Sequence, residues 1–187
     1  MGFIDKNIND LELPKGVISL QQTYTKEEGI KDVLVFKTNN FADDLGGWFK
    51  ETIRLNDEGQ IISLKELGVS LRVRQSNTSY ITGGGRRFWH IHPTQNELWT
   101  TNSTLLVGLI DIRKDSSTHF KKQKIILSSD KALYIPSGVA HGFINPNSSM
   151  VTLTYFTDQQ FVSDENTQEF RIDPKNMSFD FVEPEIM

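Results

Sequence analysis

The chain has 187 residues and a formal net charge of −4 at pH 7, so it can bury the core of one ordinary domain and carries no overall positive field for nucleic acid or anionic lipid. It contains no cysteine, which excludes disulfides and thiol catalysis. No segment has the pattern of a signal peptide or a membrane span. We therefore expect a single-domain cytoplasmic protein without a nucleic-acid or membrane partner.

Short segments rich in β-branched and aromatic residues recur along the chain and predict β-strands. In chain order they are residues 31–37, 71–75, 88–92, 105–113, 124–127, 132–135 and 151–157. Turn signals such as 83–85 and 145–147 separate them, and residues 57–68 and 164–170 are each expected to form a short helix. Evenly spaced short strands without long helical periodicity predict a small closed barrel or jelly roll.

Three of the four histidines fall in two short motifs. His90 and His92 stand two residues apart in a predicted strand, so both imidazoles point to one face, and Glu97 follows them. His141 comes just after the turn at 136–138. Imidazole and carboxylate ligands suit Fe, Mn, Ni, Co or Zn better than Ca or Mg. These four residues are candidate ligands of one divalent transition metal; the alternative is an ordinary core or surface pair of histidines. No organic cofactor is expected.

Written as patterns, the motifs are H-x-H-x4-E and P-x-G-x2-H-x3-N, the second ending at Asn145. They resemble the two signature motifs of the cupin β-barrel family, although Thr104 and Asp130 stand where glycines often flank them. The resemblance implies an all-β cupin, a jelly-roll barrel of two packed antiparallel sheets with a few short helices. We expect a single cupin domain over residues 1–187, comprising an N-terminal strand region (1–40), the barrel (41–174) and a C-terminal tail (175–187).

A second, longer series of residues overlies these motifs. It comprises Phe41-Ala42-Asp43-Asp44-Leu45-Gly46, then Gln75, Asn77, Ser79, Gly84, Arg87 and His90, the segments 111–118, 133–136 and 140–143, Tyr155, and Ile172-Asp173-Pro174. In order and spacing the series resembles the dTDP-4-dehydrorhamnose 3,5-epimerase family, a cupin-fold group of nucleotide-sugar epimerases. The resemblance implies an isomerase acting on a nucleotide sugar. It also implies a homodimer in which the N-terminal strand region of one subunit borders the site of the other.

The resemblance implies three catalytic residues. In that family a histidine, oriented by an aspartate, removes the proton next to a 4-keto group, and a tyrosine on the opposite face returns one. His90 would be the base, Asp173 its orienting carboxylate and Tyr155 the acid. A base titrating near neutrality and a neutral phenol that can donate a proton suit this chemistry. The ordinary alternatives are a barrel-lining packing residue for Tyr155 and a turn start for Asp173.

Four residues are implied in substrate binding: Arg87, Gln75, Asn77 and His141. Arg87 would offer a fixed donor fork to a diphosphate or keto oxygen, unless it is simply one of a surface pair with Arg86. Gln75 and Asn77 alternate onto one strand face and would read hydroxyls or phosphate.

Three positions depart from the family pattern. The family's lysine that steadies the enolate has no counterpart, and Glu97 stands near its place. Leu45 stands where the family has a phosphate-binding arginine, and Phe161 stands where the family has a second tyrosine. Loss of two cations removes favourable interactions with a diphosphate and with a developing oxyanion. A metal ion could polarise the keto oxygen instead, but a coordinated His90 could not use the same lone pair as a base.

Three hypotheses therefore stay open. The first is 3- and/or 5-epimerisation of a 4-keto nucleotide sugar. The second is a metal-dependent cupin enzyme, such as a sugar isomerase or a dioxygenase. The third is a non-catalytic sugar-binding cupin. Metal analysis and solvent deuterium uptake by nucleotide sugars would separate them.

Overall fold

The computed structural model describes residues 12, 14–16, 28–161 and 169–172. In these residues the elements are β1 (Leu34–Lys37), β2 (Asn39–Asp43), β3 (Gly47–Glu51), α1 (Ile62–Glu66), β4 (Gln75–Ile81), β5 (Arg86–Ile91), β6 (Glu97–Thr101), β7 (Leu105–Asp111), β8 (Lys122–Leu127), β9 (Lys131–Ile135), β10 (Val139–Ile144), β11 (Val151–Thr157) and β12 (Phe170–Arg171).

Two five-stranded sheets form the body of the molecule. The first has the strand order β1-β9-β6-β11-β4 and the second β12-β5-β10-β7-β8, while β2 and β3 form a separate two-stranded ribbon. All of these described pairings are antiparallel. The predicted all-β jelly roll of two packed antiparallel sheets is confirmed.

The main core lies between the two sheets. Leu105, Val107 and Leu109 alternate along β7 and point to one face, where they join Leu133 of β9 and Leu153 of β11 in one buried cluster. Because that cluster draws residues from both sheets, its burial holds them face to face.

A second cluster covers the outer face of the first sheet. Ile61, Leu64 and Leu71 pack there with Leu98 of β6 and Phe156 of β11. The first sheet is therefore covered on both faces, and all five residues of β6 are buried.

The helix predicted over 57–68 is shorter in the structure, where α1 covers Ile62–Glu66. It ends at Glu66 with Leu67 as its C-cap, and Gly68 follows with a positive φ of 82°, which suits the residue after a helix cap. Of the helix predicted over 164–170, residues 164–168 lie outside the described residues, and Phe170 begins β12. Among the described residues, no helix has the length and apolar character needed to cross a membrane.

The strand predictions are confirmed for six segments and partly wrong for 71–75. Residues 71–74 form no strand, apart from a single bridge between Arg72 and Gln60, and β4 instead begins at Gln75 and runs on to Ile81. The sequence did not predict β2, β3, β6, β10 or β12. The sequence of β6 does not alternate between apolar and polar residues because both faces of the strand are buried. The sequence of β4 does not look like a strand because the residues of its inner face are polar.

Candidate active site

A cavity of about 430 Å³ is lined by residues of both sheets. Eight of the nine predicted site residues line it: Gln75, Asn77, Arg87, His90, His92, Glu97, His141 and Tyr155. The ninth, Asp173, lies outside the described residues. Residues far apart in sequence thus share one cavity.

Strand register explains this convergence. On the second sheet, His90 of β5 stands opposite His141 of β10. On the first sheet, Tyr155 of β11 stands opposite Asn77 of β4 and Trp99 of β6. The proposed base and acid therefore line the cavity from different sheets.

β4 forms a polar wall of the cavity because every second side chain of the strand points into it. Gln75, Asn77 and Ser79 share one face and line the cavity. Gln75 Nε2 donates to Asn77 Oδ1 at 2.8 Å, while the backbone N–H of Phe161 donates to Gln75 Oε1 at 2.8 Å. Gln75 thus also ties the chain after β11 to the cavity wall.

His92, Glu97 and His141 form a compact buried cluster. Each offers one ligand atom, and these atoms lie within 4.8 Å of one another. His92 Nε2 is 3.3 Å from Glu97 Oε1, and His141 Nε2 is 3.6 Å from Glu97 Oε2. His90 does not belong to this cluster, so the structure brings together three of the four residues predicted as metal ligands.

Neighbouring groups hold two members of the cluster in place. The Nδ1 atom of His141 lies 3.0 Å from the carbonyl oxygen of Val139, so a proton on Nδ1 would leave the Nε2 lone pair facing Glu97. Trp99 Nε1 and Gln95 Nε2 donate to the two oxygens of Glu97 at 2.6 and 2.7 Å. Two imidazoles and an oriented carboxylate form a donor set that fits a divalent transition metal.

Burial keeps the imidazoles of the cavity neutral. Burial, helped by the nearby charge of His141, lowers the pKa of His90 to about 4. Burial likewise lowers the pKa of His141 to about 4 and lowers that of His92. The same desolvation raises the pKa of the Glu97 carboxyl. Neutral imidazoles at physiological pH can act as bases or as metal ligands.

The carboxylate beside His90 is one that the sequence analysis missed. Glu169 Oε1 lies 3.2 Å from His90 Nδ1, and both residues line the cavity. The sequence signal is weak: Glu169 and Arg171 stand two residues apart shortly before the Asp173-Pro174 match, and the strand there, β12, has only two residues and begins after Glu169.

The departures from the family pattern occupy different places. Glu97 is buried and lines the cavity, and Phe161 also lines it. Leu45 lies in the turn between β2 and β3 and is 95% exposed. Among the described residues that line the cavity, the arginines are Arg87 and Arg171.

The sequence model of the dTDP-4-dehydrorhamnose 3,5-epimerase family matches residues 27–186 of the chain. The chain is also similar to the spore coat polysaccharide biosynthesis protein SpsL of Bacillus subtilis (strain 168). The two are 31% identical over 139 residues, which cover 73% of this chain and 85% of SpsL.

Solved structures are similar as well. The dTDP-4-dehydrorhamnose 3,5-epimerase of Bacillus anthracis str. Ames, solved with TDP and PPi bound, has a TM-score of 0.65 and 26% identity, covering 78% of this chain and 81% of that one. The dTDP-6-deoxy-D-glucose-3,5-epimerase of Legionella pneumophila Philadelphia 1, in complex with dTDP-4-keto-L-rhamnose, has a TM-score of 0.65 and 25% identity, covering 78% and 74%.

Proposed function

Because the chain belongs to the dTDP-4-dehydrorhamnose 3,5-epimerase family, we propose that it epimerises a 4-keto nucleotide sugar at C3, at C5 or at both. In class it is a nucleotide-sugar epimerase-like isomerase with a cupin fold. The observation that carries the proposal is the placement of His90 and Tyr155 on different sheets around one cavity.

In the proposed reaction His90 is the base and Tyr155 the acid. The neutral imidazole of His90 takes the proton from the carbon next to the ketone, which leaves an enolate. Tyr155 returns a proton to that carbon from the other side of the sugar ring, so the configuration inverts. Two different groups on two faces are what inversion requires, because a single group would return the proton to the face it came from.

The polar residues of the cavity would hold the nucleotide sugar. Arg87 can donate a fork of N–H groups to the diphosphate or the keto oxygen, and Asn77 and His141 offer further hydrogen-bonding groups. The bound TDP of the Bacillus anthracis protein and the bound nucleotide sugar of the Legionella protein support a ligand of this class.

Solvent deuterium uptake tests the two roles. In deuterium oxide, wild type given a 4-keto nucleotide sugar should incorporate label and form epimer. Tyr155→Phe should retain some exchange but form little epimer, whereas His90→Asn should lose both by about 10²- to 10⁴-fold, the usual contribution of a positioned base. Tyr80→Phe is the matched control, since Tyr80 is 70% exposed. Equal epimer formation by wild type and His90→Asn would refute the proposed base.

The buried cluster of His92, Glu97 and His141 favours a second function, that of a metal-dependent cupin enzyme. These residues would hold one divalent ion such as Fe, Mn, Ni, Co or Zn. The chemistry that it would supply is Lewis-acid polarisation of a keto oxygen, in a chain that lacks the family's lysine.

Metal binding is tested directly on the purified protein. Elemental analysis should find close to one equivalent of a transition metal, and Glu97→Gln should weaken affinity for added Zn²⁺ or Ni²⁺ by tenfold or more because a charged ligand is lost. Glu169→Gln is the matched control, since Glu169 lies outside the cluster. Deuterium exchange by protein stripped of metal would favour the epimerase without metal. Metal without exchange would favour the second function, and neither would favour a non-catalytic sugar-binding cupin.

We also propose a homodimer. The β2–β3 ribbon exposes Phe41, Trp48 and Phe49 by 53%, 58% and 63%, and Phe41 stacks on Phe49 with ring centroids 6.1 Å apart. Because consecutive strand residues point to opposite faces, Phe41 and Phe49 share one face of the ribbon and Trp48 is exposed on the other. Exposed aromatic side chains of this kind support an interaction site at the ribbon. Lys50 Nζ holds the ribbon to the barrel by donating to the carbonyl oxygens of Ser129 (2.8 Å) and Thr101 (3.3 Å).

Two further expectations are part of the same proposal. One cupin domain over residues 1–187 is supported by the shared core of the two sheets, which includes residues from Ile30 to Leu153. The other expectation is a cytoplasmic location.

A further inference from the structure

Among the described residues, Glu169 is an acidic residue in contact with the proposed base. Its Oε1 atom is 3.2 Å from Nδ1 of His90, and the side chains of His90 and Glu169 are 14% and 26% exposed. Both residues line the cavity. Partial burial makes this pair less screened by solvent than a surface ion pair.

The backbone holds Glu169 at this place. β12 pairs with β5 so that Arg171 stands opposite His90 and Phe170 opposite Ile91, and the N–H of Ile172 donates to the carbonyl oxygen of Trp89 at 3.2 Å. The carboxylate is thus delivered by the residue just before a strand that is registered on the strand of His90.

Arg171 contacts the same carboxylate oxygen of Glu169 that lies beside His90. Its Nε and Nη2 atoms donate to Glu169 Oε1 at 3.2 and 3.3 Å. Because residues two apart in an extended segment share a face, Glu169 and Arg171 both reach the cavity wall.

We propose that Glu169 is the positioning residue of His90, accepting the Nδ1 proton and so leaving the Nε2 lone pair as the reacting base. The inference rests on the proposed epimerase function for its catalytic meaning. The physical reason is that a neutral imidazole exists in two tautomers, and an acceptor on one nitrogen selects the tautomer whose lone pair is on the other. The family resemblance implies Asp173 for this role, and Asp173 lies outside the described residues; within the described residues Glu169 is the carboxylate in contact with Nδ1 of His90.

The first test reads the tautomer without any substrate. Long-range ¹H–¹⁵N correlation at neutral pH should show wild-type His90 protonated on Nδ1. Glu169→Ala should move His90 towards the Nε2-protonated form or a mixture, whereas the matched control Glu66→Ala, at an exposed residue of α1 that does not line the cavity, should leave it unchanged. A wild-type His90 protonated on Nε2, or a tautomer that responds to Asp173→Asn and not to Glu169→Ala, would overturn the proposal.

The second test reads catalysis. With a 4-keto nucleotide sugar, Glu169→Ala should lower kcat for deuterium exchange by about 10- to 100-fold, as loss of a partner behind an active imidazole does, with KM changed less than about twofold because Glu169 acts through His90. Glu169→Gln should recover part of the rate, since its amide oxygen can still accept the Nδ1 proton. An unchanged kcat in Glu169→Ala would refute the role. If wild type turns over no nucleotide sugar, the epimerase assignment fails, and the tautomer measurement alone decides the positioning of His90.

Discussion

At the scale of the residue, burial determines what the cavity imidazoles can do. His90 and His141 both have a pKa lowered to about 4, chiefly by desolvation. A histidine that is neutral throughout the physiological range is always available as a base, at some cost in basicity.

This burial predicts the acid limb of the pH profile. Because His90 must be neutral to accept a proton, kcat/KM for exchange should stay nearly constant as the pH falls from neutrality and should decline only towards about 4. Initial rates of deuterium uptake across the pH range measure it. A decline centred on 6.5, the ordinary histidine pKa, would contradict the burial of the free base.

The lowered pKa values of His90 and His141 also predict that the protein loses stability in acid. Thermal melting measured at a series of pH values tests this. In the unfolded chain these histidines take up protons near 6.5, above their folded pKa of about 4. The unfolded state then binds more protons, and the free energy of unfolding falls as the pH drops from 6.5 towards 4. The raised pKa of Glu97 acts in the opposite direction.

At the scale of the element, the close approach of β10 and β5 places the site. The pairing between them shifts register between His141 and Phe143, where Gly142 lies. A Cβ added at Gly142 would sit 2.0 Å from the Phe88 ring and 2.6 Å from the carbonyl oxygen of Arg87. Only a residue without a side chain lets the two strands that carry His90 and His141 approach this closely.

Gly142→Ala should therefore destabilise the fold. Overpacking at a tight strand contact costs about 1 to 3 kcal/mol, and the displaced β5 should also weaken substrate binding. Gly47→Ala in β3 is the matched control, because its Cβ would meet nothing closer than 3.9 Å and should change stability by less than about 0.5 kcal/mol. Urea unfolding midpoints compare them, and equal midpoints would show that the barrel absorbs the added methyl group.

At the scale of the whole molecule, the β2–β3 ribbon predicts the assembly. Size-exclusion chromatography with light scattering should find a dimer for wild type. Trp48→Lys or Phe49→Lys should shift it towards monomer, because each places a charge in an apolar interface. Ile126→Lys is the control, since Ile126 is 61% exposed on β8, the edge strand of the second sheet. A monomeric wild type, or a dimer that persists in both ribbon variants, would contradict an interface at the ribbon.

Much of this molecule was determined by the sequence alone. Alternating and β-branched segments predicted the strands near β5, β7 and β11, since those patterns report the local exposure of a strand. The ordered residue matches predicted the family and the cupin fold, and the motif spacing pointed to a shared site for His90, His92, Glu97 and His141.

Only the tertiary structure decided which of these residues touch. The structure leaves His90 outside the buried cluster of His92, Glu97 and His141, although it stands opposite His141. It also brings Glu169, the residue before the two-residue strand β12, to His90. The tertiary structure also covers both faces of β6 and directs the polar face of β4 towards the cavity. Periodicity describes how one strand meets water or core, whereas a contact between distant segments depends on which strands pair and in what register, and no local pattern contains that information.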